Sequence, residues 1–191
     1  MLDFYGFGQS EIKSPLTLQD YANGVEEIIK HYDMKEVILV GHSFGGRVAI
    51  LLASYLQDIK GLVLVDSAGL KPAFSFKKWR RKLDYEIRRF FKMDVSNCGS
   101  EDYKKLDSVM KATFKNVVNL YLDNLLPKIQ CDSLIVWGRK DKDTPLYMAK
   151  RLKKGIKNSG LIILEGGHYS YLDSYGEFLA ILDSYFYNIC N

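Results

Sequence analysis

Val37-Ile38-Leu39-Val40-Gly41-His42-Ser43-Phe44-Gly45-Gly46-Arg47-Val48-Ala49-Ile50 changes character at its centre. Its first four residues are apolar, as in a strand buried on both faces of a parallel sheet. From Phe44 the pattern predicts a helix running to Leu56, apolar almost all round and therefore buried. Between the two lies Gly41-x-Ser43-x-Gly45, the pattern of a nucleophile elbow. Such a turn is so sharp that the serine backbone is strained, and glycines flank it because side chains there would strike the strand or the helix. The serine oxygen then projects above the sheet at a helix N-terminus, whose dipole favours developing negative charge. Three fixed residues at about 7% each would occur by chance roughly 0.06 times in a chain of this length.

A serine hydroxyl needs a base to take its proton. The chain has three histidines. His42 lies inside the elbow, where it can orient the turn but not easily reach the neighbouring serine. His31 falls near the end of a predicted helix, where a surface histidine meets the helix dipole. His168 follows an apolar run in Glu165-Gly166-Gly167-His168, and the two glycines make a loop able to turn the imidazole towards the active face. His168 is therefore the candidate base. The base needs an acid to fix its tautomer. Asp141, in Trp137-Gly138-Arg139-Lys140-Asp141-Lys142-Asp143-Thr144-Pro145, is the leading candidate, because chemistry in such sheets gathers at the carboxyl ends of strands. Asp66 and Asp143 are the alternatives, each with an ordinary reading as a turn residue.

Three further apolar runs read as strands: Leu62 to Val65, Leu134 to Val136 and Leu161 to Leu164. A helix is predicted over Thr17 to Tyr32, with Thr17 and Asp20 as a loose capping box. Strand alternating with helix implies a mostly parallel α/β sheet with flanking helices. The interval between Val65 and Leu134 is too long for a simple crossover. Phe76, Trp79, Leu83, Ile87 and Phe90 recur at helical steps, as do Leu106, Met110, Phe114 and Val117, the latter helix with Ser100 as its N-cap and Glu101 and Asp102 in its first turn. The organisation expected is a core of residues 1–68 and 128–191 with a helical insertion over 69–127, its two main helices joined by a turn at 97–100.

The 191 residues bound the remaining possibilities. A net charge of +4 does not imply nucleic acid. The longest uncharged apolar stretch, Val48 to Leu56, is well short of the roughly 18 residues of a membrane span. No secretory pattern opens the chain. Cys98, Cys131 and Cys190 are odd in number and not at metal-like spacing, so they read as free thiols in a reducing compartment, the cytoplasm. No metal or organic cofactor is implied. Residues 71–92 hold nine basic side chains against Asp84 and Glu86. They read as the solvated face of an amphipathic helix, with attraction of an anionic substrate or lipid surface as the sharper alternative.

The chain order Ser43, Asp141, His168, together with the elbow, resembles the α/β-hydrolase family. Asp3-Phe4-Tyr5-Gly6-Phe7-Gly8-Gln9-Ser10 is similar to the family's Asp-x-Pro-Gly-x-Gly-x-Ser loop, with Tyr5 in place of proline. Trp137-Gly138-x-x-Asp141-x-x-x-Pro145 resembles its acid loop and Gly166-Gly167-His168 its histidine loop. The resemblance implies a capped serine hydrolase acting on a small carboxylic ester or similar acyl substrate, with the Phe44 N–H as oxyanion donor. The alternatives are hydrolysis of a carbon–carbon bond by the same residues, or an impaired fragment. In the family, three strands and a His-Gly oxyanion segment precede the Asp-x-Pro-Gly loop, which here begins at residue 3. The expectation is a chain lacking those N-terminal strands, with Val37 to Val40 an open edge available for self-association.

Overall fold

In the computed structural model of this protein, residues 2–73 and 106–191 are described. The expected helix around Phe76 to Phe90, most of the basic run, the turn at 97–100, the Ser100 cap and Cys98 lie outside them. The chain divides into two compact units, Met1–Leu16 with Pro72–Asn116, and Thr17–Lys71 with Val117–Asn191.

In the second unit, α1 (Leu18–His31) leads to β1 (Val37–His42), α2 (Phe44–Ala53) and β2 (Ile59–Val65). Thr17 caps α1 in a full capping box: the Asp20 N–H donates to its side chain, and the Asp20 carboxylate accepts from the Thr17 N–H. After a 3-10 turn at Leu126–Lys128 come β3 (Asp132–Gly138), α4 (Tyr147–Gly155), β4 (Ser159–Leu164), α5 (Ser170–Asp173) and α6 (Tyr175–Cys190). The helix numbered between these, α3 (Ser108–Val118), begins in the first unit. The four strands form one sheet in the order β1-β2-β3-β4, and every pairing is parallel. Parallel neighbours need crossovers, which α2 and α4 supply. All the C-terminal strand ends therefore lie on one side, where the loops at Ser43, Asp66, Asp141 and His168 emerge.

The strands show why the apolar runs lack alternation. Six of the seven β2 residues and six of the seven β3 residues are buried. Val63, Val65, Leu134 and Val136 pack with Phe178, Ile181, Leu182, Tyr185 and Phe186 of α6. Their alternate neighbours Leu62, Leu64, Ile135 and Trp137 point to the other face and are buried as well. Truncating one of these to alanine costs about 2–5 kcal/mol. Among the described residues β1 is an edge strand, paired only with β2, and Val40 on it is 54% exposed.

The segment leaving β2 and the one returning to β3 are tied together. The Leu122 N–H donates to Gly69 O at 2.8 Å and the Lys71 N–H to the Asp123 carboxylate at 2.9 Å, while Arg151 joins Lys71 O to Asp123. Buried Arg47 of α2 donates to Val117 O at 2.8 Å and Leu120 O at 2.5 Å, further along this returning segment.

In the first unit, residues 3–10 form a tight loop. Asp3 accepts from the Gln9 N–H and, through its carbonyl, from the Ser10 hydroxyl. The described part of α3 starts at Ser108, where the Asp107 carboxylate accepts the Met110 N–H at 2.7 Å. Thr113 and Asn116 of α3 bond the backbone of Leu16.

Candidate active site

Ser43 stands between β1 and α2 with φ 49° and ψ −111°, a backbone that L-residues rarely adopt. The strain is held by β2: the Ser43 N–H donates to Val65 O and the Ala68 N–H to Ser43 O. A Cβ at Gly41 would lie 2.6 Å from Gly45 O and 2.7 Å from the Gly46 Cα, so strand and helix touch there. Ser43 makes no capping bond to α2, and its Oγ is 2.9 Å from His168 Nε2.

His168 is fixed from several directions. Its own carbonyl accepts from His42 Nε2 at 2.7 Å. Burial, the main cause, holds the His42 pKa below the usual imidazole value, so its ring is neutral at pH 7 and its Nε2–H is the donor. The Gly167 N–H donates to Asp173 at 2.8 Å, and the Ser174 hydroxyl to Glu165 O at 2.6 Å. The end of β3 presses on this loop, because a Cβ at Gly138 would lie 2.0 Å from Gly167 O.

Asp141 meets the other side of the ring, its Oδ2 2.9 Å from His168 Nδ1. Its Oδ1 accepts the N–H groups of Asp143 and Thr144. The Thr144 hydroxyl lies 2.6 Å from Asp141 Oδ2, 3.0 Å from Asp66 O and 3.3 Å from His168 Nδ1. Burial pushes the Asp141 carboxyl pKa up, but the Thr144 and His168 hydrogen bonds outweigh it and leave the pKa below the ordinary value. An ionised Asp141 accepts only, so Nδ1 carries the ring proton and Nε2 is left as an acceptor facing Ser43.

The other sequence candidates lie elsewhere. Asp143 is exposed and meets Asp141 through its backbone. Asp66 is buried behind the histidine loop, bonded to Gly138 and Ser170. His31 is exposed at the end of α1, against the Tyr32 ring. Phe44 opens α2 and packs edge-on against Tyr21. Asp141, Asp143 and His168 offer ligand atoms within 4.8 Å of one another, but the Asp141 and His168 atoms already face each other in a hydrogen bond. Sequence reasoning gave His42 the orienting of the elbow turn but not its bond to the His168 carbonyl, and missed Thr144 as a partner of the site. The capping-prone Asp-x-Asp-Thr segment was the only signal for Thr144.

The chain matches the Alpha/beta hydrolase family over residues 1–181 and belongs to that family. It is a hydrolase of the α/β-hydrolase fold. It is 27% identical over 198 residues to AB hydrolase superfamily protein YisY of Bacillus subtilis, covering 87% of this chain and 73% of that protein. It is 27% identical over 176 residues to Serine hydrolase BPHL of Homo sapiens, covering 86% of this chain and 59% of that one. Among solved structures, the esterase EaEST from Exiguobacterium antarcticum superimposes with a TM-score of 0.74 at 22% identity, covering 96% of this chain and 79% of that chain. No helix among the described residues is long and apolar enough to cross a membrane.

Proposed function

We propose that this protein is a serine hydrolase that cleaves a small carboxylic ester or similar acyl substrate through an acyl-enzyme. Ser43 Oγ attacks the carbonyl carbon while His168 Nε2 takes its proton. Asp141 holds the ring and stabilises the imidazolium. The Phe44 N–H, at the first position of α2, donates to the oxyanion. When the tetrahedral intermediate collapses, His168 gives its proton to the departing alkoxide, and an alcohol leaves. Water then attacks the acyl-Ser43 ester with His168 again as base, releasing the acid and restoring the serine.

The observation that supports this reading is one imidazole bridging the Ser43 hydroxyl and the Asp141 carboxylate, each at 2.9 Å. Free Cys131 and Cys190 thiols fit a reducing compartment such as the cytoplasm. The β1 edge fits self-association, which sedimentation at several concentrations measures.

The test is turnover of a panel of short and long acyl esters, with rapid acid quenching to trap acyl-Ser43. A burst of product and an acylated Ser43 peptide are expected. Release of acid from a ketone substrate by carbon–carbon cleavage, with esters left intact, would replace the ester reading.

A further inference from the structure

Asp66 stands directly after β2, is fully buried and has φ 43°, in the left-handed region. Its Oδ1 accepts the Gly138 N–H at 2.7 Å, at the end of β3. Its Oδ2 accepts the Ser170 hydroxyl at 2.6 Å and the Ser170 N–H at 3.2 Å, two residues past His168. Its own carbonyl is 3.0 Å from the Thr144 hydroxyl, whose stronger partner is Asp141. One side chain thus joins the ends of β2 and β3 to the first turn of α5. No other described carboxylate spans these three places.

The consequence follows from where His168 sits. Upstream, its loop is held by Asp173 and Ser174, and its carbonyl by His42. Downstream, Ser170 is held by Asp66. If Ser170 is released, the backbone two residues from His168 gains freedom while Asp141 and Ser43 stay where their own loops put them. Both ring nitrogens must meet partners at once, so a small drift of the loop breaks one contact.

We propose that Asp66 is a positioning residue of the active site, which holds the His168 loop through Ser170 so that the imidazole meets Ser43 and Asp141 together. The inference rests on the serine-hydrolase reading above. Asp66→Asn isolates the effect. Asparagine tolerates the left-handed backbone and keeps an oxygen for the Gly138 N–H, but sets an amide N–H₂ against the Ser170 N–H. Ser170→Ala is the second variant; it removes one donor and leaves two.

The experiment measures kcat per phosphonate-titrated Ser43, KM, the thermal midpoint, and the low-field proton resonance of His168 Nδ1–H. Asp66→Asn is expected to lower kcat per titrated site by about 10- to 100-fold with KM nearly unchanged, and to weaken the resonance while the fold still melts cooperatively. Ser170→Ala is expected to do the same by a few-fold. A lowered midpoint with kcat per site and the resonance both unaltered would overturn the proposal, leaving Asp66 a brace of the fold. If wild type takes no phosphonate on Ser43, the serine reading falls, and the resonance alone then decides whether Asp66 holds the ring.

Discussion

Asp66 and Asp141 follow neighbouring strands of one sheet, both are buried, and both accept three or more hydrogen bonds, yet they are set up in opposite ways. Asp141 faces an imidazole, and its partners leave its pKa below the ordinary value. Asp66 faces only backbone amides and a hydroxyl. Burial, the largest influence, raises its pKa, the Gly138 and Ser170 bonds oppose it, and the Asp141 charge adds to the rise. The lesson is that burial alone does not set the direction of a carboxylate's shift: it dominates at Asp66, whereas the Thr144 and His168 hydrogen bonds outweigh it at Asp141.

The comparison breaks most readily at Asp141. Asp141→Asn should lower kcat by about 10⁴-fold, because an amide facing Nδ1 favours the wrong tautomer. Steady-state rates on the preferred ester measure it, and a loss no larger than that of Asp66→Asn would erase the distinction between the two. Thr144→Val should fall lower on the scale. Removing its hydroxyl takes one bond from Asp141 Oδ2, and a loss of about 10-fold in kcat/KM is expected, with a cooperative melt retained.

Stability against pH sharpens the comparison with a smaller effect. Asp141 has a lowered folded pKa, so its contribution is present above the unfolded value, near 3.9, and is lost as pH falls through the folded one. Asp66 has a raised folded pKa, so its contribution is complete below the unfolded value and is lost as pH rises through the folded one. Urea midpoints across the acidic range should therefore climb less steeply with pH in Asp141→Asn than in wild type, and more steeply in Asp66→Asn. Equal slopes in the two variants would contradict the assignment.

The sequence made Ser43, Asp141 and His168 visible because each stands in a short loop just past an apolar run. The strand centres were legible for the same reason, while their ends at His42 and Gly138 were not, since glycine and polar residues end the apolar signal. The Asp66 role was not legible, because spacing places a carboxylate at a strand end without saying which way it points. Arg47 looked like part of an apolar helix, and its acceptors at Val117 and Leu120 lie far along the chain. Helix α6 escaped notice because apolar and aromatic residues spread around it, with Phe178 alone buried. In α3, the Asp107 carboxylate caps the described helix, while the expected Ser100 cap lies outside the described residues.

The central claim is that His168 activates Ser43. Its most direct test is the rate of phosphonate attachment to the intact protein, with the adduct located by mass spectrometry, in wild type and in His168→Ala. A single adduct on Ser43, formed at least about 1000-fold more slowly without the imidazole, is the predicted result. An adduct on another residue, or an equal rate in His168→Ala, would contradict it.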